Sequence, residues 1–85
     1  MRTPWRDGLP MFIVYDHPRD FPGEFVVRAM RLMRQGDKTW TLDEGIVARG
    51  ATLVEVREQL WARRPGLVCL SRDEGDDPAI VEVWV

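Results

Sequence analysis

No stretch of this 85-residue chain approaches the run of about 18 apolar residues that a membrane span requires. Met1-Arg2-Thr3-Pro4-Trp5 likewise lacks the apolar region of a signal peptide, so a cytoplasmic protein with no membrane partner is expected. The single cysteine, Cys69, excludes an internal disulfide. With His17 as the sole histidine, ligands are too few for zinc, which takes three or four protein groups. Charge of neither sign is in excess. The net charge is −2, with eight basic against seven acidic residues over 1–50 and four against seven over 51–85. Such a balance carries no electrostatic footprint for duplex nucleic acid or an anionic membrane. There is no Gly-rich phosphate loop and no Ser-His-Asp pattern, so neither a cofactor nor an enzyme is expected.

What is present is a globular composition, 45% hydrophobic and 31% charged. A chain this short makes one core and buries only about 60–65% of its unfolded surface, which leaves stability marginal unless the chain associates. Residues 1–10, with Pro4, Gly8 and Pro10, read as a loosely held arm, and residues 11–85 as one α+β domain.

Thr52 to Trp61 is the best-defined element. Thr52 and Glu55 have the spacing of a capping box, and Pro65-Gly66 stops the helix. At about 100° per residue, Leu53, Val54, Val56, Leu60 and Trp61 fall on one broad arc, which predicts a helix lying on a sheet. Arg57 projects from the middle of that arc.

Met11-Phe12-Ile13-Val14-Tyr15 is a continuous apolar run that suits a strand covered on both faces. Asp16 to Gly23, punctuated by two prolines, a glycine and two aspartates, is a loop. Residues 25–34 admit a helix with Phe25, Ala29, Met30 and Met33 on one side. The strand reading puts Phe25, Val27, Ala29 and Met33 on one face, broken only by Arg31, and Val26, Arg28, Met30, Leu32 and Arg34 on the other. Val26-Val27 favours the strand, and Gly36-Asp37 as a two-residue hairpin turn sets Met33 opposite Trp40. Trp40 and Leu42 then extend the apolar face. Asp43-Glu44-Gly45 reads as a turn and Ile46-Val47-Ala48 as a short strand. Leu67 to Leu70 and Ala79 to Val85 form the closing strands around a polar turn, with the odd-numbered residues of the last strand facing the core. The expected fold is a small, mainly antiparallel β-sheet with one α-helix packed across one face, in the order ββ(β)αββ.

Tyr15-Asp16-His17-Pro18, Asp20-Phe21-Pro22 with Phe25-Val26-Val27-Arg28, and Asp76-Asp77-Pro78-Ala79-Ile80-Val81-Glu82-Val83-Trp84 resemble segments of small uncharacterised bacterial and prophage-encoded proteins. The resemblance spans most of the chain from residue 11 onward. It implies a prophage accessory protein and assigns no activity, ligand or catalytic residue to any position.

Each residue with chemistry to offer also has a structural account. Arg57 is expected to lay its stem on the sheet and pair with Asp76, Asp77 or Glu82 at the rim; the sharper alternative is a clamp on an anionic ligand. Asp73, Glu74, Asp76 and Asp77 suggest calcium but lack the EF-hand order of ligands, and a solvated hairpin loop explains them. A Cys69–His17 nucleophilic pair needs an exposed thiol beside a base, whereas Cys69 sits in an apolar strand pattern and His17 in a loop. Of the four tryptophans, Trp40 and Trp61 fit the core, Trp5 lies in the arm, and Trp84 shares a strand face with Ile80 and Glu82.

Partly exposed tryptophans favour protein contacts. The leading expectation is therefore a small interaction module that binds a protein partner or itself. Its surface would be Ile80, Glu82 and Trp84, with Met30 and Leu32 as a second patch. The alternative is a nucleic-acid-binding accessory protein using Arg28, Arg31, Arg34 and Lys38. A third reading is a small-molecule-binding domain organised by Arg57 and His17.

Overall fold

The computed structural model describes residues 8–70, 75 and 77–85. The expectations for Trp5, Asp73, Glu74 and Asp76 lie outside the described residues. Among these residues the chain forms β1 (Leu9–Asp16), β2 (Phe25–Gln35), β3 (Lys38–Gly50), α1 (Leu53–Arg63), β4 (Cys69–Leu70) and β5 (Ile80–Trp84). The strands make one antiparallel sheet in the order β3-β2-β1-β5-β4, and a single helix accompanies it, so the class is α+β and mostly β.

Residues 25–34 are strand. The β2–β3 hairpin turns at Gly36-Asp37, with Gly36 at φ +63° supplying the left-handed backbone that a two-residue hairpin demands, and Met33 lies opposite Trp40. Beyond Leu32 this hairpin outruns β1, which gives the molecule a long axis of 44 Å.

Four local expectations need correction. β1 begins at Leu9, so the last part of the expected arm is sheet. Asp43-Glu44-Gly45 does not end a strand, because the extra residues are absorbed as bulges in one continuous β3. Asp43 Oδ1 accepts from the Gly45 N–H at 2.8 Å and Gly45 has φ +93°, so turn chemistry here makes a kink inside the ladder. β1 is covered on one face alone: Phe12 and Val14 are buried, while Met11, Ile13 and Tyr15 are only half-buried on the other side. The β1–β5 register pairs Phe12 with Trp84 and Val14 with Glu82, and an irregularity beyond Val14 then sets Tyr15 opposite Ile80. Glu82 and Trp84 thereby share the face of Val14 and Phe12, opposite to the alternation expected for the odd-numbered residues.

The helix starts as its sequence requires. Thr52 Oγ1 accepts from the Glu55 N–H at 3.2 Å, and the Glu55 carboxylate reaches back to the N–H of Ala51 at 2.9 Å, one residue before the cap itself. A Cβ on Gly50 would sit 2.7 Å from Glu55 Oε2 and 3.0 Å from Glu55 Cβ, so the absent side chain lets the first turn lie close over the end of β3. At the other end the Arg64 N–H closes on the Leu60 carbonyl at 2.9 Å, just before Pro65.

Val56 and Leu60, both fully buried, join Phe12, Val14, Val27, Ala29 and Ala48 in one core. Burying each of these helix side chains contributes about 1.5–3 kcal/mol, which is the main attachment of α1 to the sheet. The bed is therefore β1 to β3, with β5 adding Val81 and Trp84 at its margin. The buried arc is narrower than its sequence suggests, because Val54 and Trp61 are exposed. Trp40 and Leu42, expected to extend the core, are exposed as well, since the hairpin tip lies past the reach of an eleven-residue helix.

Candidate functional site

The uncharged interior is interrupted at one place. Glu82, 6% exposed, is the buried polar residue among the described ones, and it points from β5 toward the helix. Arg57 meets it with both arms of its fork, Nε to Oε1 and Nη2 to Oε2, each at 2.8 Å. Trp84 Nε1 donates to Oε1 at 2.9 Å and Cys69 Sγ lies 3.9 Å from Oε2. The Arg57 hydrogen bonds hold the Glu82 carboxyl below the usual carboxylate range and raise the guanidinium in turn. Above the pair, Trp61 meets Trp84 edge to face, ring centres 5.6 Å apart.

No buried side-chain nitrogen or oxygen among the described residues lacks a hydrogen-bond partner, so the buried part of this cluster is internally satisfied. Arg57 takes Glu82 from among its three expected carboxylates. Asp77 instead caps its own turn, accepting from the Ala79 N–H at 2.9 Å, and Asp76 lies outside the described residues.

Glu82 and Trp84 therefore leave the proposed contact surface: one is buried in an ion pair and the other is half-covered by the helix. Ile80, Met30 and Leu32 remain on the open face. There Met30 stands beside Met11 and Leu32 beside Leu9 in the β1–β2 register, and Ile13 stands beside Val83 in the β1–β5 register. No described helix covers this face.

Its two ends differ in charge. At one end Arg28 donates to Asp43 at 2.8 Å and to Asp20 at 3.3 Å, above a hollow of about 220 Å³ lined by Tyr15, Val26, Asp77 and Ala79. Burial raises the Tyr15 phenol, and Asp77, Asp43 and Asp20 add to that rise against the pull of Arg28. Tyr15 and Pro18, Asp20, Val26 and Arg28, and Asp77 and Ala79 converge on this hollow from distant parts of the chain. At the other end Arg34, on the same face as Arg28, donates only to the Gly36 carbonyl, at 3.2 Å.

A second concavity opens on the helix side, where α1 stops short of the hairpin. It measures about 330 Å³, has Phe12, Ala29 and Val47 as its floor, and is rimmed by Arg31, Arg63, Arg64 and Glu44. Arg31 pairs with Glu44 at 3.2 Å. The Arg64 guanidinium stands over the Phe12 ring, 5.6 Å from its centre, and Arg63 donates to the Val47 carbonyl at 3.3 Å. Among the described residues, neither Arg63 nor Arg64 has a carboxylate partner. Sequence reasoning missed this cleft, although the adjacent Arg63-Arg64 ending an apolar helix was a signal for it.

The remaining candidates scatter. The basic set Arg28, Arg31, Arg34 and Lys38 divides between the two faces by strand alternation. His17, at φ +48°, bonds to Asp16 and packs edge-on against Phe25, whose centre is 5.2 Å away. Cys69 sits on β4 with its thiol toward Glu82, while His17 contacts Asp16 and Phe25, so the structure does not bring the expected Cys69–His17 pair together. Cys69 is exposed at the sheet edge, contrary to the buried position expected, and its thiol is raised first by partial desolvation and then by Glu82. Among the described residues no three His, Cys, Asp or Glu side chains converge to hold a metal ion, and no helix is long and apolar enough to cross a membrane. Compared with protein-family models, curated proteins and solved structures, the chain matches none of them, and its geometry alone carries the functional reading.

Proposed function

We propose that this chain is a small cytoplasmic interaction module, an accessory protein of the prophage-encoded kind its motifs resemble, that acts through the open face of its sheet. The observation that carries the reading is the half-covered sheet: one helix shields one face, while Met11, Ile13, Met30, Leu32 and Val83 form the other. An apolar face of this kind in a chain with so small a core is a contact surface.

The occupant is a second copy of the chain. Asp20 and Asp77 lie at one end of the face, and Arg34 stands at the other. A two-fold axis near Met30 superposes the acidic end of one copy on the basic end of its mate, with the methionines and aliphatic residues between them. Such an isologous contact closes on itself and covers the face of both partners at once.

Sedimentation velocity tests this directly. The wild type should sediment as a dimer at roughly 50 μM, a concentration at which a standard-sized interface is saturated. Met30→Arg should run as a monomer with an unchanged circular dichroism melt, because residue 30 is outside the core. A wild type that remains monomeric at ten times that concentration would overturn the reading. A nucleic-acid role, the alternative, would show as a mobility shift that weakens steeply with salt.

A further inference from the structure

On the helix side, beyond the last turn of α1, the exposed surface is sharply sorted by charge. The whole chain is net negative. Yet among the described residues Arg31, Arg63 and Arg64 rim the cleft with Glu44, and Lys38 follows Asp37 at the hairpin tip. Arg31 is committed to Glu44, whereas Arg63, Arg64 and Lys38 have no carboxylate partner among the described residues. Between these charges lies apolar surface. Leu42, 46% exposed, pairs in register with Arg31, and Trp40, 42% exposed, pairs with Met33. Residues paired across antiparallel strands share a face, and Arg31 is two residues from Ala29 in the cleft floor. The strip Leu42–Met33–Trp40 therefore continues the face of the cleft floor, reaching about 13 Å along β2 from Ala29 to Met33.

From this sorting we infer a binding site for an acidic, amphipathic peptide segment of a partner protein. Its carboxylates would meet Arg63 and Arg64 at the mouth of the cleft, and its apolar side chains would lie on Val47, Leu42 and Trp40. The Phe12 ring, already covered by the Arg64 guanidinium, makes that arginine a lid that can trade a cation–π contact for a carboxylate. The lining argues for peptide over single-stranded nucleic acid. Base stacking needs several free aromatic faces along a track, and among the described residues here Trp40 presents one while the Phe12 ring is covered by Arg64. The site is separate from the open sheet face, so dimerisation neither creates nor blocks it, and each copy of a dimer would carry one cleft.

Fluorescence polarisation with two labelled probes distinguishes the cases. One is a twelve-residue peptide of the repeat Glu-Leu-Asp-Phe, and its control has Lys in place of every acid. The acidic peptide should bind saturably, with a Kd of roughly 100 μM at low salt, and weaken as salt rises. Arg63→Glu/Arg64→Glu should lose affinity roughly tenfold, and Trp40→Ala should lose several-fold with no change in the melt. Arg19→Glu, in the exposed loop before β2, should leave binding unchanged. The inference fails if the wild type shows no saturation up to about 1 mM, if the lysine peptide binds as well, or if the double variant binds as the wild type does. A fifteen-residue oligothymidine that binds more tightly than the acidic peptide would overturn it in favour of nucleic acid.

Discussion

Replacing Arg57 with methionine separates an internal ion pair from a ligand clamp. The substitution keeps the stem that packs on the sheet and removes the fork that holds Glu82. Glu82 is 6% exposed and accepts three close hydrogen bonds, two of them from Arg57. Stripping one partner from a buried pair costs about 3–5 kcal/mol, because a carboxylate is left uncompensated. The Arg57 side chain is 33% exposed, so water can reach the gap, and the lower figure of about 2–3 kcal/mol applies. In a domain of this size that lowers Tm by about 10–20 °C.

The pH dependence sharpens the test. In the wild type the Glu82 pKa is depressed, so its stabilisation is present above the ordinary carboxylate value and is lost as pH falls through the folded value. Without Arg57, burial dominates and the folded pKa rises. The penalty should then be small in acid and grow as pH rises through the ordinary value. Melts of both proteins at pH 4 and pH 7 read the difference. Glu82→Gln placed on top of Arg57→Met keeps an acceptor for Trp84 and should recover at least half the loss at pH 7. A penalty equal at both pH values, or a wild-type melt raised by added phosphate, would refute the internal pairing.

Two further outcomes follow from the core and the thiol. Leu60→Ala should destabilise by about 3 kcal/mol in urea unfolding, since a fully buried leucine leaves a cavity that the sheet cannot close. Cys69 should be alkylated by iodoacetamide with a pH profile displaced above that of a free thiol, and Glu82→Gln should bring the profile back down by removing a nearby negative charge.

Much of this arrangement was legible in the sequence wherever chemistry is local. The Thr52–Glu55 cap, the Gly36-Asp37 turn, the Met33–Trp40 register and a carboxylate for Arg57 all follow from residues close in sequence or from one unpaired charge. Three misreadings share a different cause. Which face of β5 meets the helix depends on its register against β1, set by the Phe12–Trp84 and Val14–Glu82 pairs, and a difference of one residue there reverses every side chain. Trp40 and Leu42 carry the composition of a core yet stand outside it, because helix length, not strand pattern, decides how much sheet is covered. Asp43 and Gly45 have the same chemistry whether they end a strand or bulge within it. The cleft at Arg63 and Arg64 was hidden for the same reason as the tryptophans: it exists only because the helix ends before the hairpin does.

The edges of the sheet explain why faces, and not strands, are the surfaces left for association. β3 is an edge strand of thirteen residues, long enough to template another chain. It is broken by two register shifts and carries Lys38, Asp43, Glu44 and Arg49, the last held by Glu24 at 2.6 Å and standing 4.4 Å over Phe21. Bulges twist an edge away from a flat partner, and charges make an incoming strand expensive to desolvate. Among the described residues the opposite edge, β4, is two residues long. Backbone pairing is thus discouraged along β3, while the apolar face and the arginine-rimmed cleft carry no such protection. In the proposed dimer and the proposed peptide site, recognition would accordingly run through side chains, apolar contact on the open face and charge at the arginine-rimmed cleft.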